Sequence, residues 1–264
     1  MAADIVLDLR ADKVVESVKQ GKRLDGRKFD EYRKITIKHN ISENADGSAR
    51  VTLGETDVIA GVKIVPGDPF PDSPKEGSIS VGIEFLPLAS PLFETGPPGS
   101  EETELARVVD RGIRESKCID FGELCIEEGK KVWVAYIDMY TMNDDGNLFD
   151  ASSIAALAAL TQARIPKLEI EGDSYKIVKG EYAKKLGLAR KPLLCTTTKI
   201  AGHLVNDACF AEEKAMEARF SVATTEDGYM SAYQKGGSGS FTAKEIDECI
   251  DLAFAKAKEI RKLL

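Results

Sequence analysis

The segment from Asp150 to Pro166, which reads DASSIAALAALTQARIP, limits the possible folds of this chain more than any other part of its sequence. Its residues are apolar or small nearly all round a helix, so a helix formed here has almost no polar face. Such a helix is stable in water only when other structure covers it on every side. The sequence therefore predicts a helix that is deeply buried between layers of secondary structure.

Predicted strands on both sides of this helix can supply those layers. Before the helix, strands are predicted at about 33–39, 49–53, 58–65 and 78–86, and the β-branched and aromatic run KKVWVAYIDMYTM predicts a longer strand. The dipeptide Asp46-Gly47 favours a hairpin turn, and four prolines in PGDPFPDSPKEG indicate an irregular loop.

The pattern restarts after the buried helix. Strands are predicted at about 193–200, 203–207, 219–224 and 229–235, followed by a long amphipathic helix at 243–264. Thr242 and Glu245 have the S/T-x-x-E spacing of a capping box at the start of that helix. Strands followed by helices, twice over, predict an α+β architecture with a duplicated unit.

The same pattern predicts four parts along the chain. Residues 1–20 are expected to form an N-terminal helical arm, and residues 21–166 a first subdomain. Residues 167–191 are polar and are expected to form a connecting excursion with a short strand near 175–178. Residues 192–264 are expected to form a second subdomain.

Composition narrows the classes of function. The 264 residues carry a net charge of −8, so binding of nucleic acid would need a local basic patch rather than overall charge. No apolar run approaches the roughly 18 residues that cross a membrane, and the acidic N-terminus is not typical of a signal peptide. The five cysteines form no CxxC motif and no ligand-like pairing with the two histidines. We expect reduced thiols, no structural zinc and a cytoplasmic protein.

A local basic patch is present in EETELARVVDRGIRESK, which predicts an amphipathic helix at 101–117. At roughly 100° per residue, Arg107, Arg111 and Arg114 fall within about 60° of one another, opposite an apolar face. Such a stripe is usually a solvated face or a set of ion pairs, and acidic partners are available at positions 104, 110 and 115. Binding of an RNA backbone is the alternative.

Two other polar groups resemble functional sites but have simpler explanations. Arg23, Asp25 and Arg27 are expected to form a structural turn held by ion pairs. Glu212 and Glu213 could bind a metal ion, but a solvated acidic turn is the expected outcome.

Several motifs together resemble RNase PH-like proteins. RLDGRKFDEYR (23–33) resembles the R-x-D-G-R signature at the start of that family, and DGSARVTLGETDVIAGV (46–62) resembles the strand pair that follows it. KGGSGSFT (235–242) resembles the glycine turn before the last helix of the family. The motifs occur in the same order from about residue 21 to the C-terminus. The resemblance implies an RNase PH-like fold, with a mixed sheet packed on helices.

Members of this family remove nucleotides from RNA 3′ ends by attack of phosphate. That chemistry needs a cation and hydrogen-bond donors for the phosphate, and a carboxylate that assists the departing 3′ oxygen. Compared with the active relatives, this chain differs at three places. Glu101 and Glu102 replace paired arginines, and the residues at 147–149 are Asn-Leu-Phe instead of Gly-Ser/Thr-Arg. Glu213 and Arg219 stand where active relatives carry two aspartates.

These differences imply a subunit with no catalytic residue, metal or cofactor of its own, similar to the non-catalytic RNase PH-like subunits of archaeal exosomes. The resemblance implies a hexameric ring of three heterodimers with a catalytic RNase PH-like partner, together with RNA-binding cap proteins. It also implies that Arg107 and Arg111 bind single-stranded RNA, with Arg114 as a weaker match. A free-standing phosphate-dependent 3′–5′ exoribonuclease and a structural interaction protein with no RNA role remain as alternatives.

Overall fold

The computed structural model describes residues 2–172 and 174–264. Within them, the helices are α1 (Ala2–Lys19), α2 (Ser100–Glu115), α3 (Leu148–Gln162), α4 (Phe210–Ala215) and α5 (Ala243–Ile260). The strands of the first part of the chain are β1 (Ile35–His39), β2 (Gly47–Leu53), β3 (Thr56–Gly67), β4 (Ser78–Phe85), β5 (Cys125–Glu127) and β6 (Lys131–Asn143). They are followed by β7 (Arg164–Glu171), β8 (Ser174–Lys185), β9 (Leu193–Ile200), β10 (His203–Asn206), β11 (Ala218–Thr224) and β12 (Met230–Gly236).

The strands form two large sheets and one hairpin. The first sheet has the order β1-β2-β3-β6-β4, with β5 paired to β6. Strand β4 runs parallel to β6 and the other pairs are antiparallel, so this sheet is mixed. The second sheet is antiparallel, with the order β10-β9-β11-β12. The predicted α+β architecture with a mixed sheet packed on helices is confirmed.

Helix α3 lies between the two sheets, as its all-round apolar sequence predicts. It packs against β2 and β3 on one side and against β9 on the other. Its residues from 150 to 160 are all buried. The approach to β2 is so close that a Cβ added to Gly47 would lie 2.5 Å from the carbonyl oxygen of Ala159. The absence of a side chain at Gly47 therefore allows α3 to reach the sheet.

Helix α2 packs its apolar face against β4 and β12, so it contacts both large sheets. That face is formed by the buried residues Leu105, Val108, Val109, Gly112 and Ile113, as predicted. At its N-terminus, the Glu102 side chain accepts a hydrogen bond from the Gly99 amide at 2.9 Å. The helix ends two residues before the predicted end at Lys117, which itself has a left-handed backbone (φ 53°).

One prediction about local structure was wrong, and one predicted strand is longer than expected. Asp46-Gly47 does not form a hairpin turn, because Gly47 is already paired with Val62 in the sheet and Asp46 is buried, with its carboxylate bonded to the Ile64 amide at 2.8 Å. The short strand predicted near 175–178 lies within β8, a strand of 12 residues that pairs with β7 in a hairpin. The hairpin is largely exposed on both faces, so it lacks the apolar alternation that identifies a half-buried strand.

In the described ranges, no helix is long and apolar enough to cross a membrane. The five cysteines are free thiols, and Cys118, Cys195 and Cys249 are buried. At the start of α5, Thr242 accepts a hydrogen bond from the Glu245 amide while Glu245 bonds back to the Thr242 amide at 2.6 Å, so the predicted capping box is confirmed.

Candidate functional site

A cavity of about 480 Å³ lies where α2, the start of α3, α4 and β11 meet. Its lining includes Glu101, Leu148, Phe149, Glu213 and Arg219. These residues come from the three separate segments at which the family resemblance implies a difference from active relatives. The fold therefore brings all three differences into one cavity, although they are far apart along the chain.

The walls of the cavity are aromatic and acidic. Phe85 and Phe93 stack with ring centroids 4.6 Å apart, and Phe149 and Phe210 add two further rings. Carboxylates of Glu101, Asp144 and Glu213 also line it. Burial raises the pKa of Asp144 above its ordinary value. This combination repels an anion and offers it few partners.

Glu213 is the carboxyl group most changed by this environment. One of its oxygens accepts a hydrogen bond from the Asn147 amide at 2.8 Å. Burial raises the pKa of Glu213 from 4.5 to about 7, so the side chain exchanges a proton near neutral pH. A carboxyl group of this kind is suited to proton transfer, but phosphorolysis also needs a site that holds phosphate.

The cavity also contains two cations, an arginine and a lysine. The guanidinium of Arg219 donates to Glu104 at 2.8 Å and lies 4.0 Å from the centroid of the Phe149 ring. Lys214, the second cation that lines the cavity, lies over the ring of Phe210, and its charge favours the ionised form of Asp144. The arginine of the cavity is thus already bound to a carboxylate of its own chain.

Positions 147–149 form the start of α3, where Asn147 is the residue that caps the helix. Asn147 has a left-handed backbone (φ 57°), a conformation that glycine adopts most easily and asparagine tolerates. Its side-chain amide donates to Asp150 and to Asp207, both at 2.9 Å. The next two positions, where the resemblance implies a hydroxyl and a guanidinium in active relatives, carry Leu148 and Phe149.

The arginine stripe of α2 divides into two environments. Arg107 and Arg111 are exposed, and within the described residues neither has a hydrogen-bond or ion-pair partner. Arg114 is half-buried, forms an ion pair with Asp110 at 2.8 Å and donates to the carbonyl of Ile79 at 3.1 Å. The structure therefore leaves two of the three arginines free to bind a ligand.

Residues of β12 border the same face. Arg111 shares a surface hollow with Tyr233, Gln234 and Lys235. Tyr233 is 67% exposed, so an aromatic ring and a second cation lie beside the free arginine. Cations interleaved with exposed aromatic rings are typical of surfaces that bind single-stranded nucleic acid.

The R-x-D-G-R motif is structural, as predicted. Arg23 is buried and makes two parallel hydrogen bonds to Glu212, at 2.8 and 2.6 Å. Arg27 pairs with Asp25 at 2.7 Å and with Asp207 at 2.8 Å. The motif thus attaches the N-terminal part of the chain to α4, through Glu212, and to the segment just before α4, through Asp207.

The expectation of a solvated acidic turn at Glu212-Glu213 was wrong. Glu212 is only 2% exposed because Arg23 encloses its carboxylate, and Glu213 lines the cavity instead of facing bulk water. In the described part of the chain, no group of three His, Cys, Asp or Glu side chains is arranged to hold a metal ion.

One buried carboxylate that supports the cavity is not identifiable from sequence. Asp207 is fully buried, and it accepts hydrogen bonds from Arg33 at 2.7 Å as well as from Arg27 and Asn147. Burial alone would raise the pKa of Asp207, but the bonds from Arg33 hold it below its ordinary value. Its partners come from two segments that are distant in sequence, 27–33 and Asn147, so no local pattern marks it.

A mixed sheet and an antiparallel sheet that enclose one apolar helix, with a cavity between α2 and β11, define an RNase PH-like architecture. The 3′ exoribonuclease family matches this chain with its domain 1 at residues 31–166 and its domain 2 at residues 192–256. The chain belongs to this 3′ exoribonuclease family, and the resemblance seen in its motifs is confirmed.

Individual relatives match over nearly the full length of the chain. Exosome complex component Rrp42 of Thermococcus gammatolerans is 44% identical over 261 residues, which cover 99% of this chain and 96% of that protein. Exosome complex component Rrp42 of Methanopyrus kandleri is 42% identical over 262 residues, which cover 99% and 98%. A solved chain of the Archaeoglobus fulgidus exosome with RNA bound to the active site superposes with a TM-score of 0.89, at 38% identity and 98% coverage of both chains.

Proposed function

We propose that this chain is a non-catalytic, RNA-binding component of an archaeal exosome core, a complex that degrades RNA from its 3′ end. Two of its relatives are named as exosome components, and a similar solved chain comes from an exosome with RNA bound to the active site. The high coverage of those proteins by this chain supports the same assembly role.

The cavity between α2 and β11 is the main observation that supports a non-catalytic role for this chain. It lies at the three positions that the family resemblance associates with phosphorolysis, yet Leu148 and Phe149 are apolar and Arg219 is bound to Glu104. A dianionic phosphate entering it would meet Glu101 and Glu213 without a free guanidinium to hold it.

The free arginines of α2 indicate how this chain contributes to RNA binding. Arg107 and Arg111 are four residues apart on an exposed helical face, and each guanidinium can grip a phosphate through two parallel hydrogen bonds. We propose that they hold the RNA backbone and direct the 3′ end to the active site of a catalytic RNase PH-like partner. Arg114 contributes less because Asp110 already occupies its guanidinium.

The wider assembly follows from the same resemblance. The partner and this chain would form a hexameric ring of three heterodimers, with RNA-binding cap proteins on the ring. Free cysteines support a reducing, cytoplasmic location. We also propose the division into an arm (1–20), a first subdomain (21–166), a connecting excursion (167–191) and a second subdomain (192–264), which the two family matches support.

Phosphorolysis of a short oligoribonucleotide tests the proposal. The isolated chain should release no nucleoside diphosphates in the presence of phosphate. The complex with its partner, isolated by size-exclusion chromatography, should be strongly active. Arg107→Ala with Arg111→Ala should weaken RNA binding and degradation while the ring stays assembled. Each lost phosphate contact should reduce the slope of log K against log salt by about 0.7.

Removal of two exposed lysines from α5, Lys244→Ala with Lys258→Ala, is the matched control, because it changes the net charge equally on a different helix. Release of nucleoside diphosphates by the isolated chain would instead identify a free-standing exoribonuclease. Unchanged RNA binding by the double arginine variant would favour a structural protein with no RNA role.

A further inference from the structure

The helical face that carries the two free arginines also carries a carboxylate that faces inward. Glu104 lies three residues before Arg107 and seven before Arg111, so the three side chains fall within about 60° on α2. One oxygen of Glu104 accepts from Arg219 at 2.8 Å, and the other accepts from the Gln234 amide at 3.0 Å. Both partners belong to the second sheet, on β11 and β12.

The guanidinium of Arg219 has close neighbours besides Glu104. The ring of Phe149 covers one face of its guanidinium at 4.0 Å. The backbone of Gly236 also lies close, because an added Cβ there would come within 2.7 Å of the guanidinium carbon. Arg219 is only 9% exposed, so its charge has little solvent to stabilise it apart from Glu104. A guanidinium confined in this way is a rigid support for the carboxylate that it binds.

We propose that Arg219 is a positioning residue, which sets the location of Arg107 and Arg111 by anchoring Glu104 of α2 to the second sheet. This inference rests on the proposed function, because it concerns how the RNA-binding face of α2 is held. The position that carries an aspartate in active relatives would then serve here to support RNA binding instead of catalysis.

Loss of the ion pair between Arg219 and Glu104 should change the position of α2 as well as the stability of the chain, because of the charges nearby. Without Arg219, Glu104 would lose its cationic partner while the carboxylates of Glu101 and Glu213 line the same cavity. Their repulsion would push the N-terminal half of α2 away from the second sheet. Displacements of about 1 Å at positioning groups are enough to reduce productive binding of a substrate strongly.

The test uses the complex of the full-length chain with its catalytic partner and measures the affinity for a fluorescently labelled oligoribonucleotide. Arg219→Met keeps the length of the side chain and removes its charge, and we expect it to weaken RNA binding about fivefold or more. Arg219→Lys restores the charge and should recover most of that loss. Gly236→Ala should reproduce the weakening, because its Cβ displaces the same guanidinium.

A double-mutant cycle that combines Arg219→Met with the Arg107→Ala, Arg111→Ala variant separates this inference from the proposed function. In the background of Arg107→Ala with Arg111→Ala, Arg219→Met should have no further effect on affinity, because Arg219 acts through those two side chains. Arg50→Met is the matched control, since it also breaks a two-bonded pair with a carboxylate, Asp57, but on the first sheet away from α2. It should leave RNA affinity unchanged.

Each outcome supports or overturns the inference. Unchanged affinity of Arg219→Met, or an equal loss in both backgrounds, overturns it even when the double arginine variant itself weakens binding. A double arginine variant that binds RNA normally refutes the proposed function instead. If Arg219→Met does not assemble with the partner, the RNA affinity of Glu104→Gln is measured instead. This variant keeps the side-chain shape and removes the charge that Arg219 binds.

Discussion

Arg23→Met is expected to destabilise this protein severely, although Arg23 belongs to a motif that looks catalytic in the sequence. The side chains of Arg23 and Glu212 are 0% and 3% exposed, and their two hydrogen bonds have lengths of 2.8 and 2.6 Å. Arg23 also donates to the carbonyls of Asn206 and Asp207 at 3.0 and 2.8 Å. Methionine fills most of the same space but donates no hydrogen bond.

The magnitude follows from the carboxylate that is left behind. Removal of one partner from a buried ion pair destabilises a protein by about 3–5 kcal/mol, because the other charge stays buried without compensation. For a chain of this size each kcal/mol lowers Tm by about 2–4 °C, so Tm should fall by roughly 10 °C. Arg50→Met provides the scale for comparison. The side chain of Arg50 is 44% exposed in its pair with Asp57, whose side chain is 12% exposed, so its loss should cost less than that of Arg23, about 1 kcal/mol.

Urea denaturation of the isolated chain, followed by circular dichroism, measures these changes. The midpoint should fall for Arg23→Met with the slope m unchanged. Arg23→Met combined with Glu212→Gln should regain part of the loss, because the buried charge is then removed. The reasoning is refuted if Arg23→Met costs no more than Arg50→Met, or if the double variant is less stable than Arg23→Met alone.

Two further predictions concern the cavity and the buried helix. The folded-state pKa of Glu213 is about 7 against 4.5 for the free group, so between these values the folded chain keeps a proton that the unfolded chain has lost. Its contribution to the free energy of unfolding should therefore decrease as pH rises from about 4.5 to 7, by at most about 3 kcal/mol. Glu213→Gln should flatten that part of the pH dependence in urea titrations, and parallel curves for the two proteins would contradict the assignment. Gly47→Ala should cost about 1–3 kcal/mol, because its Cβ would meet the Ala159 carbonyl at 2.5 Å, whereas Gly61→Ala on the neighbouring strand has free space and should be nearly neutral. Equal melting temperatures for the two glycine variants would show that α3 can move away from the sheet.

The elements with strong periodicity were predictable from sequence alone. The strand at Leu193–Ile200 has the predicted bounds, and the apolar face of α2 is the predicted one. The burial of α3 on all sides follows from its composition, because a helix without a polar face has no stable exposed arrangement. The β7–β8 hairpin was largely missed, since exposed strands carry polar residues on both faces and resemble a loop in sequence.

The candidate site was predictable in its parts. The resemblance to RNase PH-like proteins pointed to Glu101, to positions 147–149, and to Glu213 and Arg219. The stripe of arginines on α2 was visible from helical spacing. Spacing did not show that Arg114 pairs with Asp110 while Arg107 stays free, because acidic residues are within reach of each arginine along the helix.

The order of apolar and polar residues predicted the long helices and most strands, and short motifs indicated the family, because periodicity and motifs are local properties of a chain. Burial of individual charges depended on segments that are distant in sequence. Glu212 and Glu213 are adjacent, yet one is enclosed by Arg23 and the other lines the cavity with Arg219. Such pairings exist only after the two sheets have closed around α3, so the partner of each charged group can be read only from the folded chain.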